Sequence, residues 1–579
     1  MLPTGCEKTN QAHSGKPDFR NELDVVADDI MPWVDLAPML VSPDGRQLLV
    51  KRDLGSGDSE LLLKELGTGK HLGRYSGGFP LLIAWRPHSG QLSFVRDNQG
   101  DRKYQLLLWT PGTNAVVRPE VPIIRNAKRL MKWSPDGQFL AFCKENETRS
   151  EELHIFDASV QSPQVSRLCE VQGMLDYNWS PDGNQIAVVA GGSDAITVID
   201  KKTGARREIA GGTGARFSQV VWDPSGRRLI VVSKESDSQT SVLKSVDLKS
   251  GESRIVTPAG LDARQPFVLT DGRIIYQAAS DHTRTIKLML GEPDTATAAI
   301  LGFDEALTAL GAVDELRQEA IIKHEGFTKP AQIYRVSLKD GGKQFVFQSS
   351  SLVDIQGVAP LSVALPLQGD TPLRFNVWRA KARPSRGVVI KFPNPMYRNP
   401  SFTSTAFDGC CQYIVREGYD YISLDFPEST EREAAALTQQ DITRALAVID
   451  YAHNALGAPS DKIVLFGDSA GTAYVAQTAA QMPEQQGGLL LRGIVANIAK
   501  TTGKFTKHRF KIAALHGEND DFTPDQARAL IEKVFGRDSL TGPDNVWRVL
   551  ENEGHSVRQT RSRALIGAAI LKLLAESDE

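Results

Sequence analysis

The sequence predicts a multidomain protein in which an all-β, seven-bladed β-propeller is followed by a doubly wound α/β domain. Three observations support this prediction: the length of 579 residues, a repeat of about 45 residues in the first part of the chain, and strands that alternate with helices in the last part. A chain of this length exceeds what one hydrophobic core organises, so two or more domains are expected.

The repeat consists of a strand, a turn rich in Pro, Asp and Gly, and a second strand. Aspartate bonds its own backbone and glycine accepts a positive φ, so each copy predicts a tight antiparallel turn. Two weaker copies at 269–277 and 312–324 bring the number to seven, which predicts seven blades over residues 36–350. The five clear copies are VSPDGRQLLV (41–50), WRPHSGQLSFV (85–95), WSPDGQFLAFC (133–143), WSPDGNQIAVV (179–189) and WDPSGRRLIVV (222–232).

Beyond about residue 352 the repeat stops and strands alternate with amphipathic helices. This alternation predicts a parallel, doubly wound sheet over residues 351–579. Residues 1–35 precede the first blade, and we expect this N-terminal segment to pack on the second domain. The predicted strands are 387–392, 420–426, 462–466, 493–499, 511–517 and 545–552, and the predicted helices include 438–456 and 560–575.

The stretch KIVLFGDSAGTAYVAQ (462–477) joins a short apolar strand to a helix of small residues through Gly-Asp-Ser-Ala-Gly. Gly467 and Gly471 allow the strand and helix backbones to approach without Cβ clashes. Such a turn holds the hydroxyl of Ser469 above the edge of the sheet, as in the nucleophile elbow G-x-S-x-G. The elbow makes the second domain an α/β-hydrolase domain in this interpretation.

That fold arranges its catalytic residues in the chain order Ser, then Asp or Glu, then His. His555 lies in ENEGHSVRQ, between a predicted strand and the last helix, and is the candidate base. The preceding strand ends in LHGENDDFTP (515–524), which offers Glu518, Asp520 and Asp521 as the acid. His516 leads into the same loop and is interpreted as structural.

These motifs resemble those of the prolyl oligopeptidase family of serine peptidases, along almost the whole chain. The family's H-G-x-x-D-x-x-V-P matches HGENDDFTP and assigns Asp520 as the acid, and its E-G-H matches residues 553–555. Its G-x-S-x-G-G matches except that Thr472 replaces the last glycine. The resemblance implies a serine hydrolase of short peptides, with catalytic Ser469, Asp520 and His555 and a propeller that gates access.

Two departures limit what the resemblance implies. Where the family carries a His or Tyr followed by glycines, this chain has Phe392, and phenylalanine cannot donate a hydrogen bond to an oxyanion. The backbone N–H of Ala470 supplies one oxyanion donor, and Tyr397 or Asn394 is the candidate for the second. Only 51 residues separate Ser469 from Asp520, too few for the family's usual side-chain pocket, so no proline preference is predicted.

The composition narrows the partners and locations that the chain can have. The net charge of −3 without any block of like charges gives no electrostatic basis for binding nucleic acid or an anionic membrane. No apolar run is long enough to span a membrane, and the polar first thirty residues predict a cytoplasmic protein. A lipoprotein or secreted form remains the alternative if the true start lies upstream, with Cys6 as the lipidated residue.

The five cysteines show neither a disulfide framework nor a zinc-binding spacing. We therefore expect no metal and no organic cofactor, and a short peptide or small acyl compound as substrate. A homo-oligomer is left open as the form of assembly. An alternative function uses the same triad as an esterase, a thioesterase or a hydrolase of an unusual, isopeptide-like amide. A non-catalytic propeller binding module is a third interpretation.

Overall fold

A computed structural model of the chain provides the structure. It describes residues 22–34, 39–55, 58–97, 103–119, 124–125, 131–146, 150–160, 164–191, 194–210, 215–235, 238, 240–279, 285–292, 295–303, 307–349, 357–367, 372–382, 384–393, 407–424, 437–482, 486–501, 505 and 510–575.

The first part of the chain is built from sheets in which most neighbouring strands are consecutive in the sequence and antiparallel. Most sheets have four strands, an arrangement consistent with propeller blades. In chain order, β1–β4 are Met39–Val41, Gln47–Gly55, Asp58–Glu65 and His71–Ser76; β5–β9 are Phe79–Trp85, Leu92–Asp97, Lys103–Thr110, Ala115–Val117 and Ile124–Arg125; and β10–β13 are Lys132–Trp133, Phe139–Glu145, Glu151–Asp157 and Gln164–Val171.

The same pattern continues to residue 348. Strands β22 to β29 form one eight-stranded sheet, in which β24 and β26 are joined through a single parallel pair of residues. In chain order, β14–β17 are Met174–Trp179, Gln185–Ala190, Ala195–Asp200 and Arg206–Ala210; β18–β21 are Ala215–Trp222, Arg228–Glu235, Val242–Asp247 and Ser253–Ile255; β22–β25 are Asp262–Val268, Ile274–Ala279, Ile286–Glu292 and Thr297–Ile300; and β26–β29 are Leu307–Asp314, Glu319–Glu325, Gln332–Ser337 and Lys343–Gln348.

Apolar side chains between neighbouring groups of strands form separate clusters, each shared by two consecutive groups. One further cluster joins the last strands to the first, because Val41 and Leu48 pack with Ile321 and Ile333. The series of clusters therefore closes on itself. Each strand group buries its faces on both neighbours, which no single group can do alone.

The tryptophans of the repeat tie neighbouring strand groups together. Trp133, Trp179 and Trp222 are buried, and each indole N–H donates to the preceding group. The acceptors are the hydroxyl of Ser93 at 3.0 Å, the carbonyl of Lys132 at 2.9 Å and the carbonyl of Asn178 at 3.1 Å. The repeated residue thus contributes both apolar area and a satisfied polar group to each junction.

The last part of the chain forms an eight-stranded sheet in the order β30-β31-β33-β32-β34-β35-β36-β37. Strands β30 and β31 are antiparallel, and the six strands from β32 to β37 run parallel to one another. The strands are Leu361–Leu365, Leu373–Trp378, Val388–Lys391, Asp420–Leu424, Ile463–Asp468, Gly487–Arg492, Phe510–Gly517 and Val546–Leu550, numbered β30 to β37 in chain order.

Helices cover both faces of this sheet, as in a doubly wound fold. Residues of α3, α4 and α5 share one apolar cluster with the sheet, and residues of α1, α2 and α6 share the cluster on the other face. The helices are α1 Glu22–Val34, α2 Gly409–Arg416, α3 Gln439–Asn454, α4 Gly471–Gln481, α5 Pro524–Phe535 and α6 Thr560–Leu574, with 3₁₀ turns at Ser460–Lys462 and Ala496–Lys500.

Helix α1 packs along α6, although the two helices lie at opposite ends of the sequence. Leu23, Ala27 and Ile30 are buried in the cluster of that face. The guanidinium of Arg561 donates to Asp24 at 2.8 Å and to Asp28 at 2.9 Å. A stripe of apolar residues and a forked ion pair thus attach this segment to the sheet-and-helix part of the chain.

The predicted strand at 493–499 is wrong. The strand in this region is β35, Gly487–Arg492, and residues Ala496–Lys500 form a 3₁₀ turn. The run Leu489–Leu491 is fully buried, and the chain turns at Gly493, whose φ is +60°. Two apolar runs follow each other closely here, and only the position between β34 and β36 decides which of them enters the sheet.

Within the part of the chain that the structure describes, no helix is long and apolar enough to cross a membrane.

Candidate active site

Ser469 lies at the end of β34, on the sharp turn that leads into α4. Its φ is +55°, in the left-handed region that residues other than glycine rarely adopt. The turn brings strand and helix so close that a methyl group on Gly467 would lie 2.5 Å from the carbonyl oxygen of Gly471. The backbone N–H of Ser469 donates to the carbonyl of Arg492 on β35 at 2.8 Å. The strained serine is thereby supported from the neighbouring strand.

The three residues predicted as a triad form a hydrogen-bonded chain, in which His555 contacts both Ser469 and Asp520. The Oγ of Ser469 is 2.7 Å from Nε2 of His555, and Nδ1 of His555 is 2.8 Å from Oδ2 of Asp520. The carboxylate accepts the Nδ1 proton, which leaves the Nε2 lone pair to accept the serine hydroxyl proton. This tautomer is the one a general base for Ser469 requires.

Asp520 is almost completely buried, in the turn that follows β36. Burial alone would raise the pKa of its carboxyl, but the hydrogen bond and charge of His555 and the charge of His516 hold that pKa below its usual value. Asp521 is the exposed member of the acidic pair. The buried carboxylate therefore stays ionised opposite the histidine.

His516 lies beside the triad with both ring nitrogens occupied. Its Nδ1 accepts from the N–H of Ile494 at 3.2 Å, and its Nε2 is 2.5 Å from the carbonyl of Phe522. Burial lowers the pKa of its imidazole. The ring supports the turn that carries Asp520, and its described hydrogen bonds go to Ile494 and Phe522.

The structure shows what Thr472 does in place of the last glycine of the family's elbow motif. The hydroxyl of Thr472 donates to the carbonyl of Ser469 at 2.7 Å, alongside the Thr472 N–H at 2.9 Å. Ala470 is the N-cap of α4, so its N–H lies at the positive end of that helix, next to Ser469. Asn394 and Tyr397, predicted as the second oxyanion donor, lie outside the described residues.

Phe392 takes no part in the site, as its chemistry predicts. It is buried, with its ring edge-on to Tyr474 at a centroid distance of 4.9 Å. Its N–H donates to the carbonyl of Phe466 at 2.8 Å, which joins the end of β32 to the strand of the elbow. The residue that replaces the family's His or Tyr is thus a core residue.

A cavity of about 590 Å³ opens beside Ser469 and His555, on the face of the sheet covered by α1, α2 and α6. Its wall includes the ion pair of Lys391 with Asp408, at 3.2 Å, and the aromatic rings of Trp378 and Tyr421. Its volume falls within the range of small-molecule binding sites.

Cys410 and Cys411 lie in the wall of the same cavity. Burial raises the pKa of both thiols well above its usual value. Both are therefore thiols at neutral pH, and neither provides a thiolate nucleophile. The four described cysteines, these two with Cys143 and Cys169, are not in disulfides.

Arg492 also belongs to the site, although no sequence motif marks it. Arg492, at the end of β35, bonds the carbonyl of His555 and pairs with Asp468. An arginine at the end of a strand outside any motif cannot be distinguished from a surface residue, so only the assembled sheet reveals this contact.

The fold resembles that of several solved peptidases. Three solved structures superpose on almost the entire chain: a prolyl endopeptidase (TM-score 0.75, 12% identity, covering 96% of this chain and 92% of that one), a puromycin-hydrolyzing peptidase from Mycobacterium tuberculosis (0.72, 16%, 93% and 94%), and prolyl oligopeptidase B from Galerina marginata (0.77, 11%, 96% and 90%). The resemblance to prolyl oligopeptidases is therefore confirmed for the fold.

Sequence comparisons reach only part of the chain. The peptidase YuxL of Bacillus subtilis is 23% identical over 205 residues, which is 34% of this chain and 29% of YuxL. A component of eukaryotic translation initiation factor 3 from Vanderwaltozyma polyspora is 25% identical over 164 residues, or 22% of this chain and 23% of that protein. The chain thus matches less than a third of the length of either relative. No family model matches the sequence.

Proposed function

We propose that this protein is a serine peptidase that hydrolyses short peptides through an acyl-enzyme formed on Ser469. The observation that carries the proposal is the continuous hydrogen-bonded chain from Ser469 through His555 to buried Asp520, at the carboxyl ends of parallel strands. That arrangement recurs on unrelated folds as the machinery of acyl transfer. The peptidase folds that superpose on the chain, one of them solved with a 35-residue substrate, favour a peptide as the acyl donor.

In the proposed reaction Ser469 Oγ attacks the substrate carbonyl while its proton passes to Nε2 of His555. The tetrahedral intermediate places its oxyanion at the N–H of Ala470, at the positive end of α4. Asp520 stabilises the imidazolium and keeps the ring in the correct tautomer. His555 then protonates the leaving amine, and a water molecule, activated by the same base, releases the acyl group from Ser469.

We also propose the domain organisation that accompanies this function. Residues 36–350 form a seven-bladed β-propeller, in which the eight-stranded sheet contributes two blades, and residues 351–579 form an α/β-hydrolase domain. We assign the N-terminal segment 1–35 to the hydrolase domain, because its described part, α1, packs on α6. The propeller covers the site and admits short or unfolded chains while excluding folded proteins.

A contact near the catalytic histidine supports this gating. The carboxylate of Asp53, on strand β2 of the proposed propeller, accepts from the backbone N–H of Thr560, at the start of α6. Helix α6 begins only five residues after His555. A movement of the propeller away from the active site would therefore have to break this contact.

The proposed function is tested by labelling the protein with a fluorophosphonate probe and locating the label by mass spectrometry. We expect labelling at Ser469, loss of labelling in Ser469→Ala, and competition by peptides of a few residues. Ser556→Ala is the matched control, because Ser556 lines the same cavity and has no role in the proposal.

Four results would contradict parts of the proposal. An unlabelled wild-type protein would refute the serine nucleophile, and a label on another serine would refute the assignment of Ser469. Competition by small esters with none by peptides would refute the substrate class. Efficient cleavage of a folded protein would refute the gating by the propeller.

A further inference from the structure

We propose that Arg492 is a positioning residue. It holds the histidine loop, which is the segment between β37 and α6 that carries His555, against the nucleophile elbow. The inference rests on the proposed function and deepens it. Arg492 is the last residue of β35, directly beside Asp468 of the elbow strand in the parallel register. It is therefore the residue of the neighbouring strand that lies nearest to the elbow.

Arg492 contacts three separate parts of the site. Its backbone carbonyl accepts from the N–H of Ser469 at 2.8 Å. Its Nη1 donates to the backbone carbonyl of His555 at 2.6 Å, and its Nη2 forms an ion pair with the carboxylate of Asp468. One residue thus joins the nucleophile, the residue before it and the general base.

The chemistry of the side chain suits this role better than that of other residues. A guanidinium presents several N–H groups in a rigid, planar fork, so two acceptors on different loops are held at a set separation. The Arg492 side chain is only 10% exposed. Hydrogen bonds from a charged donor in such a site are short and strong compared with those between neutral groups.

The backbone that follows Arg492 lies close to the His555 ring. Gly493 follows with a φ of +60°. A methyl group added there would lie 3.6 Å from Cε1 of His555, in van der Waals contact with the ring. The histidine loop therefore approaches the end of β35 closely. Without the guanidinium, the carbonyl of His555 would lose a donor, and the loop would shift to find another.

A shift of this loop would affect the chemistry without affecting substrate capture. The distance from Ser469 Oγ to His555 Nε2 is 2.7 Å, and proton transfer in the transition state depends on it. A displacement of about 1 Å in such a geometry costs about 10²-fold in rate. The proposed role therefore predicts a loss in kcat with little change in KM.

The test compares Arg492→Met, Arg492→Lys and the double variant Asp468→Asn/Arg492→Met, which also removes the carboxylate that the first substitution leaves without its cation. Arg528→Met is the matched control, because Arg528 forms a 3.0 Å ion pair with Glu532 that is largely exposed. Kinetics on a chromogenic short peptide, the rate constant of fluorophosphonate labelling and the melting temperature are measured for each variant. Ser469→Ala is included so that a failure of the proposed function is recognised separately.

We expect Arg492→Met to lower kcat and the labelling rate constant about 10²-fold, with KM within about 3-fold of wild type. The double variant should remain equally slow while folding normally, and Arg492→Lys should recover part of kcat because one donor is restored. Arg528→Met should match the wild type. Retention of most of kcat in the folded Arg492→Met or double variant would overturn the proposal. A rise in KM with kcat unchanged would also overturn it, by making Arg492 a substrate-binding residue.

Discussion

The close approach of β34 and α4 at the elbow leads to a quantitative prediction for Gly467→Ala. The methyl group would lie 2.5 Å from the carbonyl oxygen of Gly471 and 2.9 Å from the backbone nitrogen of Thr472. These are backbone atoms, so no side-chain rotation relieves the overlap. Restoring an ordinary contact of 3.4 Å to that oxygen requires strand and helix to separate by about 0.9 Å.

A separation of this size would move Ser469, which lies between the two elements. If the serine takes the full displacement away from His555, the distance from Oγ to Nε2 grows from 2.7 Å to about 3.6 Å, beyond hydrogen-bond range. We therefore expect kcat/KM for a short chromogenic peptide to fall by about 10²-fold or more. The free energy of unfolding should fall by about 1–3 kcal/mol, as overpacking does elsewhere.

Gly471→Ala provides the control from the same pentapeptide. Its methyl group would lie 3.3 Å from the carbonyl oxygen of Pro393, so a shift of about 0.1 Å suffices and a loss of less than about 10-fold is expected. Steady-state kinetics and fluorophosphonate labelling report activity, and a thermal melt reports stability. The reasoning is refuted if Gly467→Ala keeps wild-type kcat/KM, or if Gly471→Ala is the more damaging substitution.

Three further predictions address the catalytic acid, the stability of the proposed propeller and the proposed gating. Asp520→Asn should lower kcat about 10⁴-fold by permitting the wrong histidine tautomer, and Asp521→Asn should have little effect; the reverse ranking in steady-state kinetics would show that the other carboxylate is the acid. Burial lowers the pKa of His324 to about 4, so between pH about 6.5 and 4 the unfolded chain binds a proton that the folded chain does not, and the free energy of unfolding falls as the pH decreases. After allowance for the partial exposure of the ring, the free energy of unfolding falls by about 2 kcal/mol by pH 4. His324→Gln should therefore flatten the pH dependence of that free energy, measured by urea denaturation. An unchanged pH dependence in this variant would contradict the lowered pKa of His324. Asp53→Ala should raise the turnover of a peptide relative to a small activated ester by about 3-fold, because only the bulkier substrate needs the domains to part; an unchanged ratio would argue against gating at this contact.

Regular local patterns allowed much of this structure to be predicted. The turns of the repeat have their own chemistry in aspartate and glycine, and the elbow is recognisable from the glycines on either side of its serine. The three triad candidates could therefore be named from their motifs, and the structure brings Ser469, Asp520 and His555 together. The choice of Asp520 over Asp521 came from the family resemblance, and the structure buries the first and exposes the second.

Other features depend on contacts between distant parts of the chain. The sequence by itself determined the strand-turn-strand units, the strand-helix alternation and the identity of the candidate nucleophile, because hydrophobic period, turn chemistry and motif spacing are local properties. Only the tertiary structure decided that β35 is Gly487–Arg492, that α1 lies on α6, and that Arg492 bonds the carbonyl of His555. Each of these depends on which strand lies beside which, and the free energy that selects a neighbour comes from burial shared between segments far apart in sequence.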